Sequence, residues 1–149
     1  MCNFPSAGST TATRDGSLLA KQPLSFQENQ GQWPSSICFV ATKGNISAVV
    51  EATGIRFYEG RQELFGIRFE GVKHSAAIMG EALRPTRYNY YFGNDPAAWR
   101  SNVPSFQSVI YRGLYDGIDL RLREDSNRLE YDVLVNPGAD LRDVVFRID

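Results

Sequence analysis

The chain of 149 residues sets 16 Lys and Arg against 17 Asp and Glu, a formal charge of −1, with 42% hydrophobic and 22% charged residues. That balance describes one ordinary soluble domain, able to bury roughly 68–70% of its unfolded surface without a disulfide framework or a structural metal. It offers no global attraction to nucleic acid or to an anionic membrane, and no window approaches the apolar length of a membrane-spanning helix.

Residues 1–20 lack the charged start, apolar core and cleavage site of a secretory signal. The small, weakly polar residues at 6–13 can bury little to offset their ordering entropy, so residues 1–20 read as a flexible leader or tether and 21–149 as the folded domain. Cys2, next to the initiator Met, reads either as an incidental thiol or as the lipid-bearing cysteine of a mature lipoprotein, although no lipobox precedes it. Cys38 sits in the apolar run Ile37-Cys38-Phe39-Val40 and reads as a small hydrophobe, not as a disulfide partner of Cys2.

From Leu24 onward, short alternating or apolar segments are cut by Gly, Pro, Asn and Asp. The spacing predicts strands over 37–42, 46–51, 55–59, 64–70, 76–79, 88–92, 106–112, 118–124, 129–135 and 144–148. This is an all-β pattern, an antiparallel sandwich or open barrel with at most short helical turns. One hairpin can be derived in register. With Ser126 and Asn127 as its turn, Leu122 faces Tyr131, Leu120 faces Val133 and Ile118 faces Val135, while Arg123 meets Glu130 and Arg121 meets Asp132 on the other face. A slip of one residue exchanges the two faces. A second hairpin runs from 55–59 through Gly60-Arg61-Gln62 into the strand that begins at Leu64. Asn94 or Asp95 caps a helical turn started by Pro96, which folds Trp99 back as an apolar plug. Asn136-Pro137-Gly138 suits a type II turn, and Tyr115-Asp116-Gly117 a tight turn into the strand at Ile118.

The catalytic inventory is thin. His74 is the single histidine, in a loop, with no nucleophile elbow beside it, and Cys38 lies where thiolate formation is disfavoured. No cofactor or zinc ligand set is expected. Asp116, Asp119, Glu130 and Asp132 hold enough oxygen for calcium but lack the spacing of a calcium loop, and two of them already face arginines, so no metal is assigned. The aromatic run Tyr88-Asn89-Tyr90-Tyr91-Phe92 places Tyr88, Tyr90 and Phe92 on one face and Tyr91 on the other. Trp33, Tyr91, Trp99 and Arg100 are the candidate ligand or partner surface, since amphipathic rings beside amides and arginine stack on sugars or anchor proteins. Asn29, Gly31, Gly93, Asn94, Asp95, Gly117 and Gly138 are the candidate structural motif residues, fixing loops by hydrogen bonds or turn geometry.

Four ordered blocks carry a family resemblance. They are Pro23-Leu24-Ser25-Phe26-Gln27-Glu28-Asn29-Gln30-Gly31-Gln32, the segment 89–104 around Asn94-Asp95-Pro96-Ala97-Ala98-Trp99-Arg100, Tyr111-Arg112-Gly113-Leu114-Tyr115-Asp116-Gly117-Ile118-Asp119-Leu120, and the segment 129–140 around Asn136-Pro137-Gly138. Together they resemble an uncharacterised β-rich N-terminal domain of bacterial cell-surface and secreted proteins, often followed by seven-bladed β-propeller (SBBP) repeats. The resemblance implies an extracellular or cell-surface location and a non-catalytic structural or interaction module whose partner is a protein or a glycan. The alternatives are a carbohydrate-binding module and, remotely, a small hydrolase. This chain departs from the family in lacking an export signal and in carrying Arg121-Leu122-Arg123-Glu124-Asp125 where a more aromatic, glycine-containing stretch is common. It also stops at Asp149, where further strands are usual. The expectation is a C-terminally truncated domain with an open edge for downstream β modules to cover.

Overall fold

In the computed structural model, residues 23–149 are described, so the leader reading and Cys2 lie outside the described residues. The β-branched and aromatic runs form β1 (Phe26–Glu28), β2 (Ile37–Lys43), β3 (Ile46–Glu51), β4 (Gly54–Glu59) and β5 (Gln62–Glu70). They continue as β6 (Ala77–Tyr90), β7 (Arg100–Tyr115), β8 (Ile118–Asp125), β9 (Arg128–Val135) and β10 (Val145–Ile148). Among the described residues the helical content is two 3-10 turns, Pro96–Ala98 and Leu141–Asp143. The strands join in one antiparallel sheet, ordered β10-β5-β4-β3-β2-β1-β7-β8-β9, with β6 on β7. The sheet curls into a half-barrel, the open-barrel form of the expected all-β architecture.

The curl has a local cause in β7. Phe26 and Gln27 of β1 pair with Phe106 and Ser105, whereas Arg123 to Leu120 of β8 pair with Ser108 to Tyr111. β1 and β8 therefore lie end to end along one edge of β7, and β6 follows the opposite edge. Beside this junction β6 turns its backbone left-handed at Ala82, φ +55°, between the pairs Glu81–Ser108 and Leu83–Phe106. At this corner the Phe106 ring lies directly on Gly80, in the space a Cβ would need, and meets Phe39 edge-on at 6.0 Å. Gly80 and Pro85 interrupt the sequence pattern, yet both lie within β6. Pro85 is tolerated because β6 pairs on one side only and its register shifts between Leu83 and Arg87.

The concave face holds the main core, including Phe26, Phe39, Val50, Phe69, Tyr111 and Leu120. Tyr111 is fully buried, and its hydroxyl donates to the carbonyls of Glu51 at 2.7 Å and Gly54 at 3.3 Å. A second core lies on the other face of β2 to β4, where Val40, Val49 and Tyr58 meet Trp33, Tyr90 and Val103. Burial on both faces explains why β2 and β3 read as continuous apolar runs.

The β8–β9 hairpin has the derived register throughout, from Asp125–Arg128 to Ile118–Val135. Ser126 and Asn127 have φ of +49° and +71°, the left-handed pair of a type I′ turn. The second hairpin turns at Gly60-Arg61, and a bulge between Phe57 and Tyr58 shifts the pairing before Phe65 and Glu63. In the 136–139 turn, Ala139 N–H donates to Asn136 O at 3.1 Å, with Gly138 at φ +88° as a type II turn requires.

Candidate functional site: an aromatic corner at the β6–β7 connection

The alternation through 88–92 divides the aromatic run. Tyr90 is buried against Trp33, ring centroids 5.1 Å apart, and donates its hydroxyl to Gln27 Oε1. Phe92 tilts onto Tyr90 at 5.5 Å. Tyr91 points away and is 61% exposed. Its ring meets Trp99 edge to face at 5.4 Å with 82° between planes, and Trp99 is 38% exposed. Trp99 is therefore half of a surface corner, not an interior plug. Trp33, only 7% exposed, belongs to the second core and is removed from the candidate surface, because the 29–36 loop lays its indole over the β2–β3 face.

The corner is held from beneath. Asp95 is the cap: its Oδ1 accepts from Ala97 N–H at 3.0 Å, and Pro96 opens the turn. Trp99 Nε1 donates to Gly93 O at 3.2 Å, which fixes the indole, while Gly93 sits at φ +67°. Asn94 is exposed beside the cap and is not the capping residue. Arg100 is engaged within the chain. Its guanidinium donates to the carbonyls of Gln30 at 2.8 Å, Ala97 at 2.8 Å and Trp99 at 2.9 Å, tying the 29–36 loop to the aromatic corner.

Gly31 is the counterpart of that clamp. A Cβ at residue 31 would stand 3.0 Å from Arg100 Nη2, and its φ of +102° is left-handed, so both space and backbone select glycine. Asn29 organises the same loop. Its amide donates to the carbonyls of Trp33, Pro34 and Ile37 at 3.1, 2.9 and 2.8 Å, and its Oδ1 accepts from Gly31 N–H at 2.9 Å and Trp33 N–H at 3.2 Å. The structure thus brings Asn29, Gly31, Gly93, Asp95, Trp99 and Arg100 into one assembly. Gly117 and Gly138 lie elsewhere, at the turns flanking β8 and β9, with Gly117 at φ +68°.

A second concavity, of about 240 Å³, opens between the layers of the curl. Leu24, Ala41, Ile46, Ala48, Phe57 and Leu129 line it, with Lys43, Glu124, Asn127 and Arg128 around its mouth. No signal in the sequence marks it, because its walls come from both ends of the chain. Glu124 accepts from Lys43 Nζ at 2.8 Å and from Leu24 N–H at 2.6 Å. Burial opposes its charge, yet these donors hold the carboxyl below its ordinary range.

The residues weighed for chemistry are dispersed. His74 is exposed in the 71–76 connection. Cys38 is half-buried, and burial followed by the charge of Glu51 pushes its thiol up, disfavouring the thiolate. Asp116 pairs with Lys73, Asp119 with Arg112 at 3.3 Å, and Asp132 with Arg123 at 2.7 Å. Arg121 bonds Glu81 at 2.7 Å although its backbone stands opposite Asp132. Among the described residues, no group of three or more His, Cys, Asp or Glu side chains comes together to hold a metal ion, and no helix is long and apolar enough to cross a membrane.

No curated protein and no solved structure matches the chain. A domain of unknown function, DUF7948, matches residues 26–149, a span that contains all ten strands. The chain belongs to this DUF7948 family.

Proposed function

We propose that this domain is a non-catalytic interaction module of a bacterial secreted or cell-surface protein, of the kind that precedes SBBP repeats, and that it presents Tyr91 and Trp99 to a protein partner. The observation carrying this reading is an exposed pair of large aromatic rings whose backbone is already fixed by the Asp95 cap and the Arg100 clamp. Rigid aromatics lose little conformational entropy on binding and dominate interface energetics, so a prebuilt pair suits an anchor. The test is to expose the immobilised chain and its Tyr91→Ala/Trp99→Ala variant to the extracellular fraction of the source cells. Proteins retained by the first and lost from the second support the reading; an identical set from both refutes it.

A glycan is the second reading, favoured by the 82° angle between the rings, which lets a sugar lie on one face while abutting the other ring. A glycan array separates the two: binding abolished by Trp99→Ala supports the sugar, and no bound glycan removes it.

A further inference from the structure

The open side of the half-barrel carries a second surface, independent of the aromatic corner. We propose that the free edge of β9 accepts an extended strand from another polypeptide, with apolar residues on its inward side and Lys or Arg on its outward side. The hairpin register determines which groups are available. In a two-residue turn the flanking pair Asp125–Arg128 is hydrogen-bonded, so Arg128, Glu130, Asp132 and Leu134 direct their N–H and C=O groups to β8. Leu129, Tyr131, Val133 and Val135 direct theirs outward, and among the described residues β9 pairs with β8 alone.

The same four residues turn their side chains to the concave face, opposite Leu122, Leu120 and Ile118. That face is incompletely covered along the opening. Tyr131 is 54% exposed although its ring reaches Phe146 of β10 at 5.5 Å, and Ile148 is 74% exposed. An added strand would place its inward residues over this apolar surface, beside the cavity that Leu129 lines. This is recognition by strand addition, with main-chain bonds supplying affinity and alternate side chains supplying specificity.

Charge selects the partner. On the outward face Arg123 pairs with three carboxylates, Asp132 at 2.7 Å, Asp125 at 3.2 Å and Glu130 at 3.7 Å, Arg121 adds a further attraction to Asp132, and along β9 itself Glu130 and Asp132 outnumber Arg128. Lys or Arg opposite Glu130 and Asp132 adds an attractive cross-strand pair at each. A second copy of β9 does the reverse: registers centred on Tyr131 or Asp132, which overlap most, set carboxylate against carboxylate. The edge is thereby biased against pairing with itself and toward a basic strand.

The test is residue-resolved amide hydrogen exchange on the full chain, alone and with a synthetic peptide alternating Lys and Val, against a Glu–Val peptide of equal length. The expected result is fast exchange at Leu129, Tyr131, Val133 and Val135 in the free protein, slowed about tenfold or more by the Lys–Val peptide. The Glu–Val peptide binds about three- to tenfold more weakly, and Glu130→Lys, confirmed folded by circular dichroism, narrows that difference. Four amides already protected in the free chain, protection elsewhere only, or equal effects of both peptides would overturn the proposal.

Discussion

Replacing Asn29 by Ala removes an amide whose two N–H groups are shared among three carbonyls and whose Oδ1 accepts from two backbone N–H groups. A neutral intramolecular hydrogen bond contributes about 0.5–1.5 kcal/mol net, but water can reach part of this half-buried loop and replace some of them. A loss of about 2–4 kcal/mol is therefore expected. At about 4 °C per kcal/mol for a domain of this size, the melting temperature should fall by roughly 8–16 °C. Urea unfolding with an unchanged m-value would show that the loss lies in stability, not in the compactness of either state. Asn29→Asp sharpens the test, since it keeps an acceptor for Gly31 and Trp33 but turns an anion toward three carbonyl oxygens. Repulsion from three carbonyls, set against two retained N–H donors, should raise the folded carboxyl above the unfolded one, so this variant should gain stability as pH falls below neutrality; the opposite slope would show that the N–H donors dominate. Asn29→Ala within about 0.5 kcal/mol of the parent protein would refute the assignment of the loop to this side chain.

Three further outcomes follow from the core and the corner. Gly80→Ala forces a Cβ into the Phe106 ring and should cost about 1–3 kcal/mol; adding Phe106→Leu should recover part of that loss, and strict additivity would contradict the contact. Tyr111→Phe removes the buried hydroxyl that donates to the Glu51 and Gly54 carbonyls and should cost about 0.5–1.5 kcal/mol in denaturant unfolding, whereas no change would mean that this bond adds nothing to the strand pairing already made there. Burial, then its hydrogen bond to Glu63, pushes the Tyr58 hydroxyl up to about 12, and burial also raises Tyr90, Tyr111 and Tyr115. Above the unfolded tyrosine value of about 10 the unfolded chain releases protons that the folded chain keeps. Stability should therefore fall as pH rises from about 10 to 12, and tyrosinate absorbance should show a late-titrating class that unfolding removes.

What the sequence revealed was local. The β8–β9 register, the placement of its turn at Ser126-Asn127 and the type II turn at 136–139 are set by alternation and turn chemistry within a few residues. Asp95 and Pro96 announced their helical turn in the same way. β1 escaped notice because three residues carry no period, although it sits centrally between β2 and β7. β6 and β7 read as shorter strands because Gly80, Pro85 and Pro104 break their patterns, yet the long pairing of the two strands carries them through all three. At the site, alternation separated Tyr91 from Tyr90, but nothing local distinguished Trp33 from Trp99. Burial of the former depends on a loop crossing the outer face of the sheet, and the clamp by Arg100 joins residues seventy positions apart.

The proposal that the aromatic corner faces a partner is tested most directly by a photo-crosslinking residue at position 91, with the same residue at Arg61, on the exposed β4–β5 turn, as the control. In the full-length protein on its source cells, a discrete adduct is expected from position 91 that is absent from position 61 and lost when Trp99 is also changed to Ala. No adduct at 91 above that at 61, or one unaffected by the loss of Trp99, would contradict it.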